Sequence, residues 1–392
     1  MKISILTSDL SHNCLGRAYL LAKILQRRYT VEIAGPIFGD GIWPPVVYDN
    51  SIAYKFVTIK NGFRPYSQFG KLIESIDGDV IYASKPLFFS FGAGLIKKMR
   101  GKKPLVLDID DWEMGFVKSE YDGLPFLKRM KSFIYSGLYL YQNDTYWNTW
   151  LSEKLTRFAD DITVSNTFLE GKFGGTIIYH GRDTHAFNPE KFEKGTLRRE
   201  YGIDACSKVI MFFGTPRPHK GVEDLIDAMA LIKDKDVILV VAGLDNLPYC
   251  QGLLVAATGI LKDRFRGFGI QPFEKVPEFL ALADIVVIPQ RRSVATFGQL
   301  PAKVFDAMAL AKPIVATQVS DLPEILRDCG LTVEPENIGQ LADAIRYLLE
   351  EPKKAEELGK KAREKCIEKY SWDTIEKILM VIFRKYEHIK TA

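Results

Sequence analysis

Long hydrophobic runs are missing from this sequence of 392 residues. No stretch reaches the roughly 18 uninterrupted apolar residues that a transmembrane helix needs. The N-terminal segment MKISILTSD is apolar for only a few positions, so it does not have the longer apolar region of a secretory signal. We therefore expect a cytoplasmic protein without a transmembrane helix.

Cysteine is scarce, and a strong excess of charge of either sign is absent. The five cysteines lie far apart in the sequence and no two have the spacing of metal ligands, which is typical of free thiols in a reducing compartment. The formal net charge of +4 is too small to indicate a nucleic-acid-binding protein, although it leaves room for a local basic patch. We expect no nucleic-acid partner.

Short apolar runs alternate along the chain with longer segments of helical periodicity. This alternation predicts an α/β fold in which helices cover parallel sheets. The runs are rich in Val, Ile and Leu, as strands buried on both faces are. The predicted strands are Lys2–Leu6, Val31–Ala34, Asp79–Ala83, Pro104–Asp108, Asp161–Val164, Thr176–Tyr179, Val209–Gly214, Val237–Gly243, Asp284–Ile288 and Pro313–Ala316.

The segment 180–189 contains Gly, Asp, Asn and Pro without a helical period, which predicts a linker. A second series of apolar runs begins after it. We therefore predict two Rossmann-like domains that face a cleft, the first over residues 1–185 and the second over residues 186–370. The C-terminal segment 371–392 has apolar residues at helical spacing, and we predict that it crosses back onto the first domain.

The strongest local pattern is the strand KVIMFFG followed by the loop TPRPHKG and the helix VEDLIDAMALI. A helix N-terminus offers unpaired N–H groups and a partial positive charge to an anion. Arg217 can bind phosphate oxygens with two N–H groups at once, and Lys220 adds a compact positive charge. The pattern indicates a phosphate site from Gly214 to Gly221. The alternative is that Arg217 and Lys220 are solvated loop charges.

Residues 214–228, GTPRPHKGVEDLIDA, resemble the phosphate-binding segment of glycosyltransferase family 4, which are retaining group 1 glycosyltransferases with the two-domain GT-B fold. In that family an Arg directly follows the Gly, and a Lys stands five residues after the Arg. Lys220 keeps the place of that Lys, whereas Thr215 stands where the Arg is usual and the Arg falls at Arg217. The resemblance implies a nucleotide-sugar donor whose diphosphate is bound by Lys220 and Arg217.

Residues 296–326 resemble the donor segment of the same family, in which a glycine-rich turn precedes a helix with an acidic-Ala-Met-Ala run. Asp306 takes the place of the family's second glutamate, whose carboxylate accepts hydrogen bonds from the ribose hydroxyls. An Asp offers the same lone pairs on a shorter side chain. The first glutamate is missing, because Gly298 stands in its place. The donor sugar must then be held by the turn Phe297–Leu300 or by neighbouring side chains, and the residues we expect there are Thr296, Gly298, Gln299, Leu300 and Lys303.

Residues 265–289 also resemble the family, in which the loop after an Arg-Gly pair offers backbone groups to the nucleobase. In this chain the resemblance places that loop at Gly267–Gly269, with Gly267 and Phe268 as donor-binding residues. The resemblance as a whole covers most of residues 160–370 and is weaker before Ser84.

In the GT-B fold the first domain binds the acceptor, and its first loop faces the donor. The resemblance places that loop at Asp9–Arg17, just before the helix AYLLAKILQRR. Gly16 would let the backbone approach the donor, while His12 and Asn13 would contact the acceptor or the sugar. For His12 the alternative is a turn residue that caps the helix.

The segment 105–113, LVLDIDDWE, is the most informative element of the first half. Asp108 ends a strand, and Asp110, Asp111 and Glu113 crowd the loop after it; active groups gather beyond the carboxyl ends of strands in open α/β sheets. We predict that Asp110 or Asp111 polarises the acceptor hydroxyl, that Asp110 and Glu113 help to bind the acceptor, and that crowding raises the pKa of one carboxyl.

Two alternatives remain for this acidic segment. Asp-Ile-Asp is also the metal-binding signature of the other large glycosyltransferase fold, so Asp108 and Asp110 could bind Mn²⁺ or Mg²⁺. Alternatively, the segment is a solvated acidic turn that caps a helix. We expect no metal, because Arg217 and Lys220 would neutralise the diphosphate.

Residues 126–141 carry apolar side chains at helical spacing, with Lys128, Arg129 and Lys131 beside the apolar stripe and further aromatic residues up to Trp150. A basic helix with aromatic residues is typical of peripheral contact with an anionic membrane. On that interpretation residues 126–150 would rest on the inner face of the membrane, which suits a lipid-linked acceptor. We favour the commoner alternative, an amphipathic helix packed on its own domain.

The resemblance therefore implies a retaining, metal-independent glycosyltransferase of the hexosyltransferase type. It would move a sugar from a nucleotide-sugar, which is a substrate and not a cofactor, to a hydroxyl of a saccharide or lipid-linked acceptor, in cell-surface polysaccharide or glycolipid synthesis. The departing diphosphate, held by Arg217 and Lys220, would take the proton of the incoming hydroxyl. Three alternatives stay open: a nucleotide-sugar 2-epimerase of the same fold, a metal-dependent transferase that uses Asp108 and Asp110, and a non-catalytic nucleotide-sugar-binding subunit.

Overall fold

The computed structural model describes residues 1–59, 65–139, 141–143 and 145–388. The chain forms two compact units. The first contains Met1–His180, the short segment Phe297–Leu300 and the chain from Ile375 onward, and the second contains Gly181–Thr296 and Pro301–Thr374. Each unit therefore draws on more than one stretch of the sequence.

The first unit is built on seven strands, which are Lys2–Leu6 (β1), Thr30–Ile37 (β2), Ala53–Thr58 (β3), Val80–Ser84 (β4), Leu105–Ile109 (β5), Asp161–Val164 (β6) and Thr176–Ile177 (β7). All are parallel, in the order β3-β2-β1-β4-β5-β6-β7. Its helices before the linker are Cys14–Leu25 (α1), Pro65–Ser75 (α2), Ala93–Gly101 (α3), Glu113–Asp122 (α4), Phe126–Leu138 (α5), Tyr146–Leu155 (α6) and Thr167–Phe173 (α7).

The second unit is built on six strands, which are Lys208–Phe213 (β8), Val237–Leu244 (β9), Phe265–Gly269 (β10), Ile285–Ile288 (β11), Ile314–Thr317 (β12) and Leu331–Val333 (β13). These too are parallel, in the order β10-β9-β8-β11-β12-β13. The remaining helices are Lys194–Glu200 (α8), Val222–Leu231 (α9), Pro248–Leu261 (α10), Val276–Ala281 (α11), Val294–Phe297 (α12), Lys303–Ala309 (α13), Leu322–Ile325 (α14), Ile338–Glu350 (α15), Pro352–Lys365 (α16) and Trp372–Phe383 (α17).

Both sheets are doubly wound, and each has one point at which the strand order reverses. In the first unit that point lies between β1 and β4, where Ile5 pairs with Tyr82. In the second unit it lies between β8 and β11, where Ile210 pairs with Ile285. Ligands of open α/β sheets bind beyond the carboxyl ends of the strands at such a point, so the loops after these four strands are the first places to search for a site.

The central strands form because they are continuous apolar runs whose side chains are buried on both faces. Ile3, Leu107 and Val287 are examples from the two sheets that have no exposed surface. A polar cap fixes the start of α7, because the Asn166 side chain accepts a hydrogen bond from the Leu169 N–H at 2.9 Å. All five cysteines are free, as the sequence predicted.

The α/β fold with two Rossmann-like sheets is confirmed, and each of the ten predicted strands is present. Three strands were missed, and all three lie at a sheet edge: β3, β10 and β13. Edge strands are half exposed and need no continuous apolar run, so their sequences give a weak signal. The predicted helix at 371–392 is α17 followed by a 3-10 turn, Arg384–Tyr386, while residues 389–392 lie outside the described residues.

Within the part of the chain that the structure describes, no helix combines the length and the apolar character that a bilayer span requires.

Candidate functional site

The loop after β8 is shaped by glycines whose backbone conformations L side chains rarely adopt. Gly214 has φ +113° and Gly221, directly before α9, has φ +64°. A Cβ on Gly221 would lie 2.0 Å from the carbonyl oxygen of Pro289, just after β11. The loop is therefore pressed against the end of β11, at the reversal point of the second sheet. This is where the phosphate site was predicted.

Two lysines converge on this loop. The Lys220 ammonium donates to the carbonyl oxygen of Thr215 at 2.8 Å, and Lys303 Nζ lies 3.1 Å from the position that a Cβ of Gly214 would take. Lys303 Nζ also stands 3.8 Å from the ring centre of Phe212. Burial, followed by the charge of Lys220, lowers the pKa of Lys303 well below its ordinary value.

Lys303 has no carboxylate within ion-pair distance among the described residues. The charge of Asp306 acts in the opposite direction and raises the pKa of Lys303, but its effect is smaller than those of burial and Lys220. Lys220 and Lys303 are therefore two half-buried amines close to the N-terminus of α9, and an anionic ligand would be stabilised there.

The Arg217 side chain already forms hydrogen bonds within the protein. Its guanidinium donates to an Asp245 carboxylate oxygen at 2.8 Å and to the carbonyl oxygen of Pro216 at 2.8 Å. Burial acts to raise the pKa of Asp245, but hydrogen bonds from Cys250 and Arg217 hold it below the ordinary value. Arg217 therefore stiffens the loop. Lys303 lies closer to Gly214 than Arg217 does, so Lys303 and Lys220 are the two cations of this loop.

Asp306 is buried and both of its carboxylate oxygens accept hydrogen bonds from Arg182. The guanidinium also donates to the carbonyl oxygen of Gly181 at 3.0 Å. Since a carboxylate keeps lone pairs beyond two hydrogen bonds, the ribose role predicted for Asp306 would have to be shared with this ion pair. Arg182 joins the first residues of the second unit to α13.

The predicted sugar-binding turn is divided between the units. Thr296 in the second unit is fully buried, and its hydroxyl bonds within the loop, donating to the Arg291 carbonyl oxygen at 2.9 Å. Thr296 thus fixes the loop, since its hydroxyl is turned inward. In the first unit, the Gly298 carbonyl oxygen accepts from the Trp112 N–H at 3.2 Å. Leu300 is buried.

Gly267 and Phe268 lie within a strand, not in the predicted loop. Both belong to β10, the edge strand of the second sheet. A Cβ on Gly267 would lie 2.8 Å from Leu244 Cδ1, and the Phe268 ring packs edge-on against Phe279 with 5.4 Å between the ring centres. The sequence hid this strand because two of its five residues are glycines, which weaken strand patterns.

Asp108, at the carboxyl end of β5, is an internal structural residue. It is fully buried, and its two oxygens accept from Arg17 Nε and Nη2, each at 2.9 Å. The Thr163 hydroxyl donates to one of these oxygens at 2.7 Å. The metal alternative based on Asp108 and Asp110 therefore has no support from the geometry, because Arg17 already takes both oxygens of Asp108.

The three acidic residues after β5 surround one lysine. Lys85, directly after β4, places its ammonium 3.0 Å from Asp110, 2.8 Å from Asp111 and 2.6 Å from Glu113. The three carboxylates lie close enough together to hold a metal ion, but the Lys85 ammonium already stands among them. The cluster lies beside the reversal point of the first sheet.

Burial would lower the pKa of Lys85, but the three carboxylates raise it well above its ordinary value. Burial would also raise the pKa of Asp110, but the charges of Lys85, His180 and Arg17 hold it below the ordinary value. The pKa of Asp111, in contrast, lies above its ordinary value. Burial and the negative charge of Asp110 raise it by more than the positive charge of Lys85 lowers it. The predicted rise in the pKa of one crowded carboxyl is present at Asp111. Its side chain is also the most exposed of the three, at 23% against 9%, and it bonds to Gln299.

The first loop of the first unit ends in the N-terminus of α1. His12 Nδ1 lies 2.5 Å from Asp9 Oδ2, while most of the His12 side chain is exposed. Asn13 is exposed and precedes α1 without capping it through its side chain. Gly16 lies inside the first turn of α1, where a Cβ would meet the Trp43 ring at 3.4 Å. His12 and Asn13 therefore remain accessible, whereas Gly16 packs against Trp43.

Most of the apolar stripe of helix α5 is exposed, whereas the interpretation favoured from the sequence had the stripe packed on its own domain. Phe133 does pack on α6, with its ring centre 5.1 Å from that of Tyr146 and 4.9 Å from that of Trp147. Ser136 is the only buried residue among the described residues of α5. The exposed fractions reach 75% for Phe126 and 70% for Leu138. The periodicity correctly predicted an amphipathic helix, but periodicity cannot tell which surface the apolar face meets. Leu140 and Asp144 of the predicted segment 126–150 lie outside the described residues.

Two basic residues that hold the candidate carboxylates in place, Lys85 and Arg182, were not identified from the sequence. Lys85 stands directly after a buried strand, in YASKP, and that position is itself a signal, because the neighbouring strand ends in the acidic segment. Arg182 is part of the HGRD segment that was assigned to the linker. Each pairs with a carboxylate that had been predicted to bind a substrate.

Residues 193–365 match the family model of the glycosyl transferases group 1. The alpha-maltose-1-phosphate synthase of Mycolicibacterium smegmatis is 28% identical over 226 residues, which cover 53% of this chain and 56% of that protein. The alpha-D-kanosaminyltransferase of Streptomyces kanamyceticus is 28% identical over 213 residues, which cover 53% of each protein. The chain thus spans about half the length of these curated relatives.

Among solved structures, Anabaena HepE in complex with UDP-glucose is similar with a TM-score of 0.74, at 19% identity, covering 98% of this chain and 100% of that one. At this identity the likeness concerns the fold. Both Rossmann-like sheets of the present chain fall within the matched region.

Proposed function

We propose that the protein transfers a sugar from a nucleotide-sugar to a hydroxyl acceptor, since residues 193–365 match the family model of the glycosyl transferases group 1. The observation that carries the proposal is the pair Lys220 and Lys303 at the loop Gly214–Gly221. These two half-buried amines and the N-terminus of α9 give this loop a positive potential. Such a potential favours a doubly charged ligand such as a diphosphate. No sugar or base is assigned.

In the proposed reaction, the bond between the sugar's anomeric carbon and the diphosphate oxygen breaks, and a bond to the acceptor oxygen forms on the same face. The proton of the acceptor hydroxyl passes to the departing diphosphate. Lys220 and Lys303 would offset the charge that develops on the leaving group, which lowers the barrier. Retention and independence from metal are part of this proposal.

The first unit would bind the acceptor. Of the three carboxylates around Lys85, Asp111 is the best candidate to accept a hydrogen bond from the acceptor hydroxyl, since its side chain is the most exposed. Asp110 and Glu113 would hold Lys85 in place and so position Asp111. An Asp111→Asn variant should lose transfer while keeping its affinity for the donor.

The donor assignment is tested by thermal-shift measurements with UDP-, GDP-, ADP- and dTDP-sugars, since a ligand that binds only the folded state raises the melting temperature. For the sugar that binds, Lys220→Met and Lys303→Met should each weaken affinity about tenfold or more, because a hydrogen bond to a charged group contributes roughly 1.5–3 kcal/mol. The control is Lys233→Met, an exposed lysine of the same unit.

Unchanged affinity in both lysine variants would contradict the phosphate assignment. The three alternatives give different results with the wild-type chain. A 2-epimerase forms product without any acceptor, a metal-dependent enzyme loses activity with a chelator and regains it with Mn²⁺, and a binding subunit holds the donor without transfer or hydrolysis.

We also propose that α5 rests on the cytoplasmic face of an anionic membrane, which suits a lipid-linked acceptor. The support is the exposed apolar face of α5 together with its basic residues Lys128, Arg129 and Lys131. The double variant Leu127→Glu, Ile134→Glu should no longer sediment with phosphatidylglycerol vesicles. Val381→Glu, which charges an equally exposed apolar residue on α17, should sediment as the wild type does. Equal sedimentation of the two variants would contradict the α5 surface.

A further inference from the structure

A cavity of about 920 Å³ opens on the first unit between α3 and α6. Its walls are almost entirely apolar, and they include Leu95, Ile96 and Met99 of α3 and Leu151 and Leu155 of α6. The Met99 side chain is 83% exposed at the rim. A volume of this size with apolar walls is typical of a pocket for an organic ligand.

Phe69 and Phe88 also line the cavity, and their rings are stacked with 4.2 Å between the ring centres. From Phe88 a path of aromatic contacts leads over the surface to α5. Each step joins rings whose centres are at most 6.3 Å apart, and the residues in order are Tyr66, Tyr141, Tyr139 and Tyr135. Tyrosines in such a belt are typical of the interface between a membrane and water.

The outer end of the cavity is positively charged. Five basic residues occur within residues 97–103, KKMRGKK, at the end of α3. Lys98 is paired with Asp160 at 2.5 Å, whereas Lys102 is exposed and has no hydrogen-bond or ion-pair partner among the described residues. Burial, and then the positive charges of Lys103 and Arg100, lower the pKa of Lys97. An anion at this end would relieve the repulsion.

We propose that this cavity binds one hydrocarbon chain of an anionic membrane lipid, with the lipid headgroup beside residues 97–103. The apolar walls offer few hydrogen-bonding groups, so they suit a hydrocarbon chain and would leave the backbone of a peptide unsatisfied. The basic segment complements an anionic headgroup, and the aromatic path links Phe88 in the cavity wall to Tyr135 on α5. The inference is independent of the proposed transferase activity, because binding is measured without a donor.

Gly92 provides a variant that fills the cavity without straining the fold. It lines the cavity and has helical backbone angles, φ −61° and ψ −42°. A Cβ there would have no neighbour closer than 4.0 Å. Gly92→Leu should therefore fold as the wild type does, since leucine also has the better helix propensity. The matched control is Gly171→Leu, the same substitution at an exposed glycine of α7 that has no neighbour within 4 Å of a Cβ and does not line the cavity.

The probes are octyl, decyl and dodecyl phosphate, each below its micelle concentration, with affinity measured by calorimetry on the full chain. Affinity should rise about fourfold per added methylene, which is the buried contribution of one such group. Gly92→Leu should weaken dodecyl phosphate binding at least tenfold, while Gly171→Leu leaves it unchanged. Affinity that is independent of chain length, or equal in the two variants, would overturn the proposal.

The variant Lys102→Glu tests the contribution of the headgroup to binding separately from that of the hydrocarbon chain. It should weaken dodecyl phosphate severalfold and leave dodecyl maltoside, which has a neutral headgroup, unaffected. Equal weakening of both amphiphiles would overturn the anionic part of the proposal. Donor binding, measured in parallel, should be the same in Gly92→Leu as in the wild type, so that failure here and failure of the proposed donor site are told apart.

Discussion

Lys85 occupies the centre of the acidic cluster that would otherwise attract a cation, and this ammonium is held by Asp110, Asp111 and Glu113 within 3.0 Å. Removing one partner of a buried ion pair typically costs roughly 3–5 kcal/mol, because the remaining charge is left uncompensated. We expect Lys85→Met to lose about that much free energy of unfolding. The loss should shrink as pH falls, since protonation relieves the repulsion among the carboxylates.

Urea denaturation at several pH values measures this difference. The control is Lys118→Met, an exposed lysine of the same unit, which should change the free energy of unfolding by no more than about 0.5 kcal/mol. Equal stability of the two variants would show that the cluster does not depend on Lys85.

Lys312 provides a second test, in the second unit. Burial lowers its pKa to about 7, although its ammonium donates to the carbonyl oxygens of Ala281 and Ala283. An unfolded lysine keeps its proton up to about pH 10.4. Between these values the unfolded state binds more protons, so stability rises with pH by up to about 1.4 kcal/mol per unit.

We therefore expect the wild type to gain stability relative to Lys312→Met as pH rises from 7 to 9, and urea midpoints at each pH check the slope. Lys233→Met is the control, and its difference from the wild type should not depend on pH. A flat difference for Lys312→Met would mean that Lys312 keeps its proton in the folded chain.

At the level of single residues, the motifs indicated candidate residues but not the partners of those residues. Asp306 was predicted in the acidic-Ala-Met-Ala run of the donor segment and lies in α13, but its partner Arg182 is 124 positions away in the sequence. Arg217 was identified as a loop cation, but Asp245, which follows a neighbouring strand, determines where its guanidinium lies. Such pairs depend on which strand ends meet, and this information is not local in the sequence.

At the level of elements, the conformation of the loop Gly214–Gly221 requires a glycine at position 221. Gly221 combines φ +64° with a contact that would put a Cβ 2.0 Å from a carbonyl oxygen. Gly202 has nearly the same φ, +65°, but open space around it. Gly202→Ala should cost about 1 kcal/mol, the price of a left-handed L residue, and Gly221→Ala should cost clearly more.

Melting temperatures of the two alanine variants compare these costs, and donor binding should be weakened in Gly221→Ala only. Similar melting temperatures would mean that the loop can move away from β11 without loss.

The sequence predicted every strand inside the two sheets and the edge strand β7, but it missed the other three edge strands. β8, KVIMFF, is a continuous apolar run because it has neighbours on both sides and helices on both faces. β10, FRGFG, has a neighbour on one side only and tolerates glycine and arginine. Helix α5 was predicted as a helix, but the exposure of its apolar face could not be predicted. That exposure depends on which other elements lie beside the helix in the fold, and the local sequence does not contain this information.

At the level of the whole molecule, the first unit is completed by a helix from the far end of the chain. Within the first unit, the α17 ring of Phe383 packs edge-on against Tyr82 with 5.3 Å between the ring centres. Glu376 is paired with Arg27 and Arg28 of the first unit. The apolar residues that α17 buries are Ile375, Leu379, Met380, Ile382 and Phe383.

Truncation after Thr374 should therefore prevent stable folding of the first unit. Five buried apolar side chains contribute roughly 7–15 kcal/mol at about 1.5–3 kcal/mol each, which is comparable with the whole stability of a domain. Near-ultraviolet circular dichroism and limited proteolysis of the truncated chain test this. Val381→Glu, on the exposed face of the same helix, should retain the native signal; a truncated chain that resists protease as well would contradict the expectation.

The division of the first unit between both ends of the sequence matters for synthesis on the ribosome. The chain leaves this unit at His180 and supplies its last helix only from Ile375 onward. At the usual rate of about 5–20 residues per second, roughly 10–40 s pass between the two. The second unit is synthesised during that interval, while the nascent first unit still exposes the apolar surface that α17 will cover. Chaperones that bind such surfaces should therefore engage the N-terminal half of the nascent chain until α17 has been synthesised.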